Sequence, residues 1–281
     1  MFNSFKLSRP RLPSLNKCQN RSINLSGSEI QYSIPPYDHK WGGQLEYPIQ
    51  FNLFDDKIYG IGEDLIPFLQ CFETTWRIKG FPIFQKQPGW ILFSISVTRL
   101  AGYGTLFNKQ RCELALTDCY IKLFGPNGKN REYSFEVFMN WFEQWIQGTD
   151  WVTYLAIEDG VGSISYSSIW VAPVTEEHVL TFDFRYKNYQ DDKAVHQAVR
   201  EYAVAIMQSV TINLSPSAQA QKDAADKQWP NQRYSTNKEP LRWIRPKKEG
   251  YLTLEEYLEQ LEEDGENVDK NSDEGKSAGS R

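Results

Sequence analysis

Three histidines, four cysteines and several paired acids are the residues through which this chain could do chemistry, and spacing decides what kind. His39, His178 and His196 show no H-x-x-x-H or H-x-x-E spacing, so any metal site would have to be assembled from distant elements. Cys18, Cys71, Cys112 and Cys119 form no C-x-x-C pair and read as small apolar residues, which suits a reducing compartment. The G-x-S-x-G match at Gly275-Lys-Ser277-Ala-Gly279 lies in the polar tail, with no strand pattern before it and no helix pattern after it, so it marks no hydrolase nucleophile. Gly102-Tyr-Gly104 lacks the third glycine of a dinucleotide loop. Gly125-Pro-Asn-Gly128-Lys129 lacks P-loop spacing, and Pro126 removes one cradle N–H, so both read as turns.

The acids come as neighbours: Asp55-Asp56, Glu63-Asp64, Glu158-Asp159 and Glu176-Glu177. Adjacent carboxyls in turns point apart and stay solvated. General acid–base work needs two carboxyls brought together from separate elements, and the sequence selects no such pair. No cofactor is implied.

Charge is unevenly distributed. Glu255–Arg281 holds ten acids and three bases (−7), so the rest of the chain carries +2 of the total −5. A nearly neutral body argues against a nucleic-acid surface. No run of about eighteen apolar residues supplies a membrane span. The start, +5 and acid-free through Ser28, is broken by Pro10 and Pro13 and reads as an arm rather than a targeting helix.

The elements that must position these residues follow from periodicity. Ile30, Tyr32 and Ile34 alternate before Pro35-Pro36. Further strands are expected within Leu45–Phe54, Lys57–Ile61 and Thr74–Lys79, and most clearly over Trp90–Thr98. A strand is also expected over Glu113–Phe124. Phe135, Phe138, Phe142, Trp145 and Ile146 recur at helical spacing and predict a helix capped by Ser134 and ended by Gly148. A three-strand meander follows: Trp151–Ile157, Ser163–Val171 and Val179–Tyr186, the last with the strongest period-two pattern. A long helix from about Asp192 to Val210 presents Val195, Val199, Tyr202, Ile206 and Val210. The class is α+β: an antiparallel β-sheet with two main helices packed on it, plus a polar C-terminal extension.

The expected organisation is a disordered basic arm (1–22), an α+β domain (23–214), a Pro- and Trp-bearing basic linker (215–250), and a short amphipathic helix with an acidic disordered tail (251–281). In the linker, Trp229 and Trp243 cannot bury themselves locally and should dock on the domain or on a partner. In the tail, Thr253-x-x-Glu256 is a capping box, and Leu254, Tyr257, Leu258 and Leu261 share one face.

Gly27–Pro35 (GSEIQYSIP), together with Val179–Tyr186 leading to Ile206-Met-Gln-Ser-Val-Thr-Ile212, resembles the PsbP/Mog1/DcrB-like α+β sandwich proteins. That resemblance implies a binding scaffold, often an adaptor or chaperone-like protein. The absence of metal, nucleotide and nucleophile signatures points the same way. The reading is a cytoplasmic, non-enzymatic protein-binding module of bacterial immunity, adaptor or chaperone type, whose partner is another protein. Its candidate contacts are Trp229, Trp243, Leu254, Tyr257, Leu258 and Leu261. The alternative is a hydrolase or transferase with a site assembled from distant residues, for which a histidine beside a carboxylate or thiol would be the sign.

Overall fold

The computed structural model describes residues 10–37, 47–60, 66–80, 88–125, 135–160, 163–189, 191–236 and 238–244. Its strands are β1 (Gln19–Leu25), β2 (Ser28–Ile34), β3 (Gln50–Phe51), β4 (Phe68–Ile78), β5 (Gly89–Arg99), β6 (Phe135–Ile146), β7 (Thr149–Gly160), β8 (Ser163–Pro173), β9 (His178–Asn188), β10 (Thr211–Asn213) and β11 (Leu241–Ile244). Its helices are α1 (Lys109–Phe124), α2 (Lys193–Met207) and α3 (Pro216–Gln228). Among the described residues no helix is long and apolar enough to cross a membrane.

The architecture is α+β, as the periodicities require. A large antiparallel sheet runs β11-β6-β7-β8-β9-β5-β4, and a smaller one runs β10-β2-β1-β3. The meander falls where alternation placed it, in β7, β8 and β9. In β9, Leu180, Phe182 and Phe184 are fully buried. They face the small sheet, where Tyr32 meets Phe182 edge-on at 6.1 Å. α2 closes the same layer: Asp192 caps it by accepting from the Ala194 N–H at 2.8 Å, and Tyr202 packs edge-on against Trp76. On the opposite face of the large sheet, α1 covers the β6–β8 end through Cys112, Ala115, Leu116 and Cys119.

Two expectations are corrected. Glu113–Phe124 is helical, not extended: Asn108 accepts from the Arg111 N–H at 3.0 Å, and Cys112, Ala115, Leu116 and Cys119 recur at the helical period on the buried side. Conversely, Phe135–Ile146 is a strand, not a helix. Its ladder with β7 shifts register between Met139 and Phe142, where Asn140 adopts φ 57°. Before this bulge Phe138 faces α1 while Val137 faces the small sheet; after it Trp141 and Glu143 face α1 while Ile146 faces the small sheet. The parity reversal leaves one spacing of three on each face, and Phe138 and Trp145 from one face interleave with Phe142 and Ile146 from the other, which imitates a helical stripe.

Other boundaries move too. Pairing begins at Gln19, opposite Ile34, rather than at Ile23. Arg11 in the expected arm already bridges Lys79 on the flank of β4. Among the described residues of Leu45–Phe54, Gln50 and Phe51 form a strand, and Asp56–Ile58 is a 3-10 turn. The expected linker contains α3, started by Ser215 as cap and Pro216 in the first turn. Ser134, His39 and the tail residues Leu254, Tyr257, Leu258 and Leu261 lie outside the described residues.

Candidate functional site

The two described histidines lie in different places. His178 opens β9 with no exposed surface, stacked on Tyr59 and edge-on to Phe54. The Thr175 hydroxyl lies 2.7 Å from its Nδ1. Burial, and then the Arg99 guanidinium, lower its pKa to about 4, although Glu177 and the Leu53 carbonyl favour the charged ring. A neutral, enclosed imidazole of this kind is part of the core.

His196, on the first turns of α2, does have a carboxylate beside it. Its Nε2 lies 2.7 Å from Asp191 Oδ1 and its Nδ1 lies 2.9 Å from the Tyr186 hydroxyl. Tyr166 donates to the same Asp191 oxygen at 2.8 Å and stacks on Tyr186. The hydrogen bond from His196, with that from Tyr166, holds the Asp191 carboxyl below its ordinary range. Both ring nitrogens are therefore engaged, and the group ties β8, β9 and α2 together instead of presenting a free base.

Two carboxyls from separate strands share one arginine, where adjacent-pair reasoning expected a solvated turn. Glu158 lies within β7, only 7% exposed, and accepts from Arg185 Nη2 at 2.9 Å. Arg185 Nε also lies 4.0 Å from Asp183 of β9. Burial raises the Asp183 pKa to about 6; the Glu158 charge adds to this and Arg185 opposes it. Burial likewise raises the pKa of Glu158. The neighbouring Tyr120 and Tyr154 hydroxyls hydrogen-bond one another. No motif in the sequence marks this cluster, because its members are scattered over α1, β7 and β9. Three clefts among the described residues are lined by other side chains.

The cysteines behave as small apolar groups. All four are free; burial pushes Cys71, Cys112 and Cys119 to about 12, and Cys18 is also raised. None is an activated thiolate. Among the described residues, no group of three His, Cys, Asp or Glu side chains is placed to hold a metal.

The tryptophans change the location of the candidate surface. Trp229 ends α3 and packs with Phe107, Ala218 and Ala225, under the Arg111 guanidinium at 5.1 Å. Trp243 sits in β11, opposite Glu136, with its ring against Phe138 and Phe124. Both dock on their own domain. Among the described residues, what stays open is the other half of β6. The strand β11 pairs only with Phe135–Phe138. Beyond the bulge, no described strand lies outside Phe142–Ile146, and there Phe142 and Trp145 are 44% and 66% exposed. They project from opposite faces of the strand, Phe142 opposite Thr153 and Trp145 opposite Asp150. An unpaired edge carrying exposed aromatic rings is a template for one further strand.

No protein-family model matches the chain, and comparison with curated proteins finds no match.

Proposed function

We propose that this chain is a protein-binding module, of immunity, adaptor or chaperone type, that takes an extended segment of its partner as an added strand beside β6. One observation carries the reading: the run Phe142–Ile146, which no described strand pairs with on its outer side, coincides with the exposed rings of Phe142 and Trp145. Backbone hydrogen bonds along the edge would supply affinity, and the two rings would supply side-chain contact on the two faces. The two described histidines, both hydrogen-bonded, and the inert thiols support a role without covalent chemistry. Free cysteines suit a reducing cytoplasm.

Amide exchange tests it. A bound partner should slow exchange at Phe142–Ile146, and Phe142→Ala with Trp145→Ala should abolish binding while leaving the fold intact. Protection confined to α2 or α3 would sink the proposal.

The second reading, a hydrolase or transferase, rests on Asp183 and Glu158. Turnover of any ester, glycoside or phosphoryl substrate by the wild type, lost in Asp183→Asn with binding retained, would establish it.

A further inference from the structure

Beside the open edge, the charges do not balance. Glu143 and Trp145 alternate on one face of β6, and Asp150 stands opposite Trp145 on β7. Two carboxylates therefore flank one exposed indole. The cation they share is Lys109, at the start of α1, which forms ion pairs with both Glu143 and Asp150. Among the described residues, one positive charge against two negative charges leaves one negative charge over, on side chains that retain 20% and 31% exposure. Asp150 also borders a cavity of about 90 Å³, whose further walls include Phe107 and Tyr234. Lys222 and Asp226, which pair with each other on α3, complete its polar side without changing the balance.

We propose that the segment taken up by β6 belongs to another protein and carries a basic side chain, recognised between Trp145, Glu143 and Asp150. The proposal rests on the strand-addition reading and adds the chemistry of the partner. An indole face attracts a cation, and the uncompensated carboxylate supplies the counter-charge. An acidic side chain at the same register would meet both carboxylates and be rejected. A second copy of this chain would present its own Glu143 there, so self-pairing of the edge is disfavoured.

Three labelled heptapeptides of alternating Val and Thr test this with the full chain, differing only in a central Arg, Gln or Glu, by fluorescence anisotropy and amide exchange. The Arg peptide should bind about tenfold more tightly than Gln and more tightly still than Glu, with an advantage that shrinks as salt is raised. Glu143→Gln with Asp150→Asn should erase the preference. Lys109→Gln, which leaves both carboxylates without their internal cation, should enlarge it. Equal binding of all three peptides, with Phe142–Ile146 protected, would overturn the basic-partner proposal and leave strand addition standing. Failure of every peptide to protect Phe142–Ile146 at millimolar concentration would overturn both.

Discussion

The Asp191 carboxylate reaches His196 Nε2 at 2.7 Å from a backbone held at φ 47°. The loop before α2 thus accepts a left-handed residue in order to deliver a side chain to Tyr166 and His196. Asp191→Gly should lose the hydrogen bonds but relax the backbone, whereas Asp191→Ala should lose the bonds and keep the strain. Ala should therefore be about 1 kcal/mol less stable than Gly in urea denaturation. Equal stabilities would mean that the turn is not strained. Because the Asp191 pKa is lowered in the fold, its contribution is present above the unfolded carboxyl range and is lost as pH falls through the still lower folded value.

Asp183 and His178 give opposite pH trends. Asp183 titrates at about 6 when folded, above its unfolded value, so the native state holds the extra proton and stability falls as pH rises from about 4 to 6. His178 titrates at about 4 when folded, below its unfolded value, so stability falls as pH drops from about 6.5 to 4. Asp183→Asn should gain about 2 kcal/mol on wild type between pH 4 and pH 7. His178→Phe should gain on wild type in the other direction. Thermal melts across this range check both, and parallel curves for Asp183→Asn and wild type would refute the assigned shift.

Gly89 lies where β5 and β9 approach closely: a Cβ there would fall 1.8 Å from the Lys187 carbonyl oxygen. Gly89→Ala must separate two central strands and should cost about 3 kcal/mol or more. Gly102→Ala meets no atom within 4 Å, but its φ of 94° disfavours any side chain. Its cost should be about 1 kcal/mol. A reversed order in chemical denaturation would contradict this account.

Trp243 and Trp145 should separate stability from binding. Trp243→Ala removes a ring packed on Phe138 and should cost about 2 kcal/mol. Trp145→Ala removes an exposed ring and should change stability by less than about 0.5 kcal/mol while weakening partner uptake. Comparable melting losses for the two variants would mean that Trp145 is structural.

How much of this was legible in the sequence depended on whether a pattern stayed in phase. β9 and α2 were plain, since Leu180–Tyr186 keep strict alternation and Val195–Ile206 keep a helical stripe without interruption. β6 was not, because the bulge at Asn140 reverses which face each residue takes and its aromatics come from both faces, so that together they fall at near-helical spacing. In α1 the apolar residues beyond the buried stripe, Leu114 and Ile121, are exposed and fill in an alternation that has no core behind it. The candidate edge was legible only as a run of aromatics. Its openness depends on where β11 stops, a tertiary fact. The Trp229 and Trp243 side chains answered their own question by packing at home, and the Asp183–Arg185–Glu158 group joins strands that no local pattern connects.

The late position of β11 also sets a timetable. β6 and its neighbours are synthesised roughly 100 residues before Leu241–Ile244, an interval of about 5–20 s at ordinary ribosome speeds. Throughout that interval the nascent chain lacks the strand that pairs with Phe135–Phe138. A companion that engages this strand on the ribosome would find a longer landing length than it meets on the finished molecule. β11 then acts as a clock, shortening the window once Leu241–Ile244 have left the ribosome and paired with Phe135–Phe138.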